Sequence, residues 1–279
     1  MLIFKNIRSL QKKLKNIRKN NNKISLVPTM GSLHEGHLSL IKKAKRGERI
    51  VVVSIFINPT QFGVNEDFNK YPKNTNKDIR LLRELSVDIL FLPNKNEILT
   101  HKTSQLKQAR LKIEKILCGK YRPNYFPGVG KIIIKLFDII KPNYAYFGEK
   151  DYQQYYFIKL LSKKLKFNTK IISSKTIRDN LGIALSSRNL YLNHQEKIIA
   201  QNIVKVLRKT KRELSKKWKP SLIISKNKKL LIQKGVSKID YFELRSETFK
   251  KNVKKNEKAR LFIAVFIGTT RLIDNIKVS

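Results

Sequence analysis

From Ile50 to Ile57 the chain is Val and Ile almost throughout, interrupted only by Ser54 and Phe56. A strand with one face in water alternates apolar and polar residues. This run does not, so it predicts a parallel strand covered on both faces. A parallel neighbour needs a long crossover, usually a helix, and the surrounding sequence supplies such segments in alternation. Ile24 to Val27 reads as a strand and Leu38 to Lys45 as the body of a helix. Helical Asn76 to Leu85 leads into the strand Val87 to Leu92, closed by Pro93. Helical Val129 to Ile140 leads into the short strand Tyr144 to Phe147, and helical Asp151 to Leu165 into Thr169 to Ile172. This succession predicts an α/β fold, a doubly wound, Rossmann-like parallel sheet over residues 1–174. Its ligand site is expected at the C-terminal ends of the strands.

Past residue 174 the order changes. Helical Gln195 to Ser215 and Leu222 to Lys234 come first, then strands Ile239 to Leu244, Leu261 to Ile267 and Leu272 to Ile276. Helices grouped ahead of strands predict a smaller α+β domain over 175–279, expected to act as a lid. At the other end, Phe4 to Arg18 is basic with Ile7, Leu10, Leu14 and Ile17 on one stripe. A transit peptide can share that pattern, but no Ser/Arg-rich composition or small-residue cleavage site accompanies it, and a helix packed on the core is the reading preferred.

The remaining numbers exclude several classes. No apolar run approaches the roughly 20 residues of a membrane span. The single cysteine, Cys118, forms no internal disulfide, which suits a reducing, cytoplasmic setting. Sixty-one Lys and Arg against 20 Asp and Glu give a formal net charge of +41, which on its face suggests nucleic acid. The basic residues are instead spread along the chain, mostly as lysine, without the interleaved aromatics of a stacking groove. They read as a solvated surface without a specific nucleic-acid partner, whose field speeds the arrival of anionic substrates.

Four segments carry chemistry. After the first strand, Pro28-Thr29-Met30-Gly31 leads to His34-Glu35-Gly36-His37, which places two imidazoles at the start of a helix. A helix N-terminus offers unpaired N–H groups and a positive dipole end, so phosphate contact is preferred for this pair. A metal is the weaker alternative, because no spacing supplies a third ligand. Asn58-Pro59-Thr60-Gln61 follows the next strand with two amides suited to hydroxyl and carboxylate groups. Gly148-Glu149-Lys150-Asp151 with Gln154 follows another strand. There Lys150 can reach a phosphate, and Asp151 can cap a helix or ligate Mg²⁺. Ser186-Ser187-Arg188, after Leu185, lines up two hydroxyls and a guanidinium as a phosphate clamp. The four are expected to converge on one triphosphate-sized cavity.

Taken with Asn58-Pro59, Gln61-Phe62, Glu66-Asp67-Phe68, Tyr71-Pro72, Phe147 to Asp151, Gln153-Gln154, Ala184 to Asn189 and Arg271 to Asn275, the chain resembles the pantoate–β-alanine ligases nearly throughout. They belong to a superfamily of adenylyl-transferring enzymes that includes class I aminoacyl-tRNA synthetases. The resemblance implies ATP-dependent condensation of (R)-pantoate with β-alanine through a pantoyl adenylate, releasing AMP and pyrophosphate. It implies that His34, His37, Lys150, Ser186, Ser187 and Arg188 are catalytic, with the last four holding pyrophosphate. Met30, His37, Phe147, Gly148, Lys150, Asp151, Ile177, Leu185, Ser186, Ser187 and Arg188 would bind ATP, with Asp151 near the ribose. Gln61, Gln154, Asn58 and Met30 would bind pantoate. Mg²⁺ would arrive on ATP rather than in a protein site, and the enzyme would be a homodimer.

Some positions depart from the family pattern. Cys118 stands where a glutamate is usual, Tyr125 for a histidine, Lys131 for a threonine and Leu181 for an aspartate. Arg122 is kept. The region around Cys118 and Tyr125 is expected to border the pocket, so β-alanine use is the step these changes would touch.

Overall fold

The computed structural model describes residues 1–63, 66–103 and 111–278. The chain divides into two compact units, one of residues 1–149 and 153–175, the other of residues 150–152 and 176–279.

The first unit is built on six parallel strands. They are β1 (Leu2–Phe4), β2 (Lys23–Thr29), β3 (Arg49–Ile55), β4 (Ile89–Phe91), β5 (Tyr144–Gly148) and β6 (Lys170–Ser174), in the order β1-β4-β3-β2-β5-β6. β3 pairs with β2 over its whole length, from Lys23 with Arg49 to Thr29 with Ile55. Val51 and Val53 on one face of β3 and Val52 on the other are all fully buried, as the unalternating run requires.

Among the described residues the helices of this unit are α1 (Ile7–Lys19), α2 (Glu35–Ala44), α3 (Thr75–Glu84), α4 (Lys95–Thr100), α5 (Cys118–Tyr121), α6 (Tyr125–Ile140) and α7 (Tyr152–Lys164), whose first residue groups with the other unit. α1 buries Ile7, Leu10, Leu14 and Ile17, the stripe read from the sequence. α2 buries Leu38, Leu40, Ile41 and Ala44 in one cluster with Val51, Val53 and Tyr146 of the sheet.

Several features differ from the expectation, among them α4 and α5, which fall where no element was expected. β1 was not foreseen: its three residues pair only with β4, and Leu2 and Ile3 stay exposed. α6 begins at Tyr125 rather than Val129, taking Pro127 and Gly128 into its first turn. Pro127 sits where a helix needs no N–H donor. Gly128 lets α6 press against the turn at 59–61, because a Cβ there would lie 2.3 Å from the Thr60 carbonyl oxygen.

The second unit holds an antiparallel sheet of β7 (Lys238–Ser246), β8 (Ala259–Ile267) and β9 (Thr270–Lys277), with β8 central. α8 (His194–Lys216) and α9 (Pro220–Gln233) share one apolar core with it, including Leu207, Leu214 and Leu231 against Leu261, Ile263 and Val265. α8 starts with a reciprocal cap: Asn193 Oδ1 accepts from the Glu196 N–H, and Glu196 accepts from the Asn193 N–H.

Candidate active site

The strand order of the first unit reverses beside β2, which has β3 on one flank and β5 on the other. In open α/β sheets the crevice for ligands lies at the C-terminal ends of the strands where the order reverses. The segments after β2, β3 and β5 leave from that edge.

After β2 the chain bends sharply. Gly31 has φ +79°, and Ser32 follows at φ +50°. The bend is held from α3, where the buried carboxylate of Asp78 accepts the Ser32 N–H at 2.9 Å and the Leu33 N–H at 2.8 Å. Burial pushes the Asp78 carboxyl above its ordinary value, while the two N–H groups and nearby Lys77 pull it down.

His34 then caps α2. Its Nδ1 accepts from the Gly36 N–H at 3.1 Å, and His37 Nδ1 accepts from the His34 N–H at 3.4 Å. The two rings lie 4.1 Å apart between centroids. An Nδ1 that accepts a backbone N–H carries no proton, so each neutral ring holds its proton on Nε2. The backbone thus sets the polarity of both rings, with the proton on the Nε2 side, which suits contact with phosphate oxygens.

The amides after β3 are held from several sides. Asn58 is fully buried: its Oδ1 accepts from Thr60 N and Oγ1, and its Nδ2 donates to Gly128 O at 3.0 Å and Gln61 Oε1 at 3.3 Å. Direct contact with a ligand was expected of Asn58. Its hydrogen bonds run to Thr60 and Gln61 in the loop and to the Gly128 carbonyl on α6, so it holds Gln61 in place. Gln61 Nε2 donates to Met30 Sδ, which ties this loop to the one after β2.

On α7, Gln154 Oε1 accepts from the Tyr125 hydroxyl at 2.5 Å. Beneath it in sequence, Gln153 holds the segment before α6 through Ile113 O, Ile116 O and the Cys118 N–H. At the end of β5, Phe147 is buried, and a Cβ on Gly148 would meet nothing within 4 Å, so the chain here leaves room for a ligand to approach its backbone.

The second unit holds the other expected groups. Lys150 Nζ lies 3.6 Å from Asp151 Oδ1, and the Lys150 carbonyl accepts from Asn275 Nδ2 at 3.0 Å. Asn275 Oδ1 in turn takes Arg260 Nη1 at 2.6 Å, while Arg260 stacks 4.0 Å over Tyr152. Arg178 and Ala184 bridge, and the Leu185 N–H donates to Ile177 O, so these two expected ATP contacts are backbone partners in one small hairpin. Beyond it, Ser186 Oγ accepts from the Arg188 N–H at 3.3 Å and opens the 3-10 turn Ser187–Tyr191, with Ser187 buried. The hairpin is anchored by Arg178, which grips Asp274 at 2.6 and 2.9 Å and donates to Gly182 O. Asp78, Arg178, Asp274 and Asn275 were assigned no role from the sequence. Only the recurrence of Asp274-Asn275 in the family pattern gave any signal.

A sequence model described as Pantoate-beta-alanine ligase matches residues 2–277. The chain belongs to that family. A pantothenate synthetase of Buchnera aphidicola subsp. Acyrthosiphon pisum is 47% identical over 283 residues, spanning 100% of this chain and 99% of its own. One of Fervidobacterium nodosum is 44% identical over 255 residues, 91% of this chain and 90% of its own. A pantothenate synthetase crystal structure from Thermus thermophilus superposes with a TM-score of 0.91 at 32% identity, covering 100% of this chain and 99% of that one. A pantoate–β-alanine ligase from Francisella tularensis, complexed with β-γ ATP and β-alanine, superposes with a TM-score of 0.83 at 38% identity, covering 100% and 98%.

The positions that depart from the family pattern fall in different settings. Leu181 is 49% exposed, in a turn whose N–H groups are held by Asp179. Lys131 is on α6, where its charge lowers the pKa of buried Lys135 further than burial alone. Cys118 is buried. Tyr125 touches Gln154, a residue expected to bind pantoate.

Proposed function

We propose that the chain joins (R)-pantoate to β-alanine at the expense of ATP, through a pantoyl-adenylate intermediate. One observation carries this beyond family membership: the edge of the first sheet displays hydrogen-bond donors fixed by their own partners. Nδ1 of both His34 and His37 accepts a backbone N–H, so ring orientation and the Nε2 proton are set before a phosphate arrives. Such donors cost no reorientation when charge develops on a phosphate, which is the largest part of what this reaction needs from a protein.

In the first step a pantoate carboxylate oxygen bonds to the α-phosphorus and the bond to the bridging oxygen breaks, so pyrophosphate leaves with that electron pair. His34 and His37 stabilise the phosphoryl oxygens. Lys150, Ser186, Ser187 and Arg188 hold the pyrophosphate. Gln61, Gln154 and Asn58 bind pantoate, with Met30 lining its pocket and Asn58 also setting Gln61. Phe147, Gly148, Asp151, Ile177 and Leu185 serve the nucleoside. In the second step the neutral amine of β-alanine bonds to the acyl carbon, AMP departs with the carboxylate-derived oxygen, and the nitrogen loses a proton.

Mg²⁺ is assigned no protein cage. Among the described residues no three His, Cys, Asp or Glu gather to hold a metal, and the Asp151 carboxylate faces the Lys150 ammonium. The ion accompanies ATP as its counter-charge. A cytoplasmic homodimer is the setting the family resemblance supports; equilibrium sedimentation tests the dimer.

The test is isotope exchange between pyrophosphate and ATP, which the adenylate route requires to depend on pantoate and to proceed without β-alanine. His34→Ala should depress it by about 10²-fold or more, the scale of losing one fixed donor to a developing charge. Exchange that ignores pantoate ends the proposal.

A further inference from the structure

Tyr125 lies at the middle of a chain of contacts that joins Gln61 and Gln154, the two glutamines expected to bind pantoate. Arg122 forms a two-pronged pair with Glu66, at 2.7 and 2.5 Å, and donates from Nη2 to the Gln61 carbonyl at 3.3 Å. Its guanidinium stacks 4.0 Å over the Tyr125 ring. The Tyr125 hydroxyl donates to Gln154 Oε1 at 2.5 Å.

A carboxamide can rotate half a turn with little change in shape, and only its hydrogen bonds decide which end faces a ligand. At Gln154 the phenol hydroxyl donates to the oxygen, and in this arrangement the amide group is the end left for a ligand; because a hydroxyl can also accept, the phenol holds the carboxamide in place and the ligand completes the choice. At Gln61 the same choice is made by Asn58 Nδ2 on the oxygen, while the Gln61 amide keeps one N–H beyond the one given to Met30. Gln61 is thus locked as a donor, and Gln154 is held in place by the phenol.

We propose that Tyr125 is a positioning residue for the acid substrate: it holds the Gln154 carboxamide in the orientation that presents its amide as a donor to a substrate oxygen such as an ionised carboxylate. Arg122 supports this by clamping the ring, with its own charge matched by Glu66. The planar guanidinium is suited to stacking and two-pronged pairing at once, which a lysine cannot do. The inference rests on the pantoate reading above.

The experiment compares Tyr125→Phe with the wild-type protein in full steady-state kinetics. Phenylalanine keeps the ring under Arg122, so the fold is undisturbed and only the hydroxyl is lost. The KM for pantoate should rise by about 3- to 10-fold, the range that one hydrogen bond commands, while the KM values for ATP and β-alanine stay within about twofold. Tyr125→His, which restores an N–H donor, should recover most of the pantoate KM. Gln154→Glu should abolish pantoate use, because its second oxygen would face the substrate carboxylate. An unchanged pantoate KM in Tyr125→Phe, or equal rises for all three substrates, overturns the inference and leaves the proposed function standing. A wild-type protein that neither exchanges pyrophosphate with pantoate nor forms pantothenate overturns both.

Discussion

At the bend after β2, two backbone N–H groups end on one buried carboxylate, and a glycine and a serine adopt positive φ to let them. Asp78 thus fixes the approach to His34 from a different helix. A carboxylate offers two acceptor oxygens to these two donors. An amide offers one oxygen and sets an N–H against the other donor. Asp78→Asn should therefore lower stability by about 1–3 kcal/mol, the cost of a buried group left without its partner. Urea unfolding measures it. Because burial raises the folded pKa of Asp78, the native state holds this proton more tightly than the unfolded chain. Its contribution is largest below the ordinary carboxylate range and declines as pH climbs through the raised value. The stability gap between the wild type and Asp78→Asn should narrow over that climb, and a gap that widens would contradict the assigned direction.

The same dependence on distant partners runs through whole elements. The hairpin at 177–185 is too short to hold itself, and it owes its place to Arg178 gripping Asp274 on β9. Both side chains are largely buried, at 18% and 5% exposure, so removing one strands the other's charge. Asp274→Ala should cost about 3–5 kcal/mol. It should also loosen the segment that carries Ser186 to Arg188, which limited proteolysis would report as new cleavage around residues 176–190. Intact resistance there would mean that the hairpin is held some other way. Elements of this kind explain what a reader of the sequence sees and misses. The period of Ile7, Leu10, Leu14 and Ile17 and the unbroken β3 run announce themselves because burial leaves an apolar signature. The helix start at the two histidines is equally local and equally visible. β1 is invisible because an edge strand of three residues with two exposed has no such signature. The start of α6 is hidden because Pro127 and Gly128 look like breakers until the turn they press against is known. Arg178 and Asp274 are 96 positions apart, and a charge pair leaves no periodic trace.

Across the whole molecule the dominant quantity is the +41 formal charge. Few of these cations are paired with acids, since 61 basic residues face 20 acidic ones. Self-repulsion on this scale weakens the compact state, and salt relieves it because the screening length falls to about 10 Å at 0.1 M. The same field attracts the anions proposed as substrates, and the same salt weakens that attraction. Stability and substrate affinity should thus move in opposite directions. Between about 0.02 and 0.3 M sodium chloride the melting temperature should rise, while the KM values for ATP and pantoate increase several-fold. β-Alanine is a zwitterion without net charge, so its KM should hold nearly constant and serves as the internal control. A uniform rise of all three KM values would indicate a general effect of salt on the protein rather than a field acting on charge. Flat values throughout would mean that the lysines lie too far from the site, or are too well screened already, to guide what enters it.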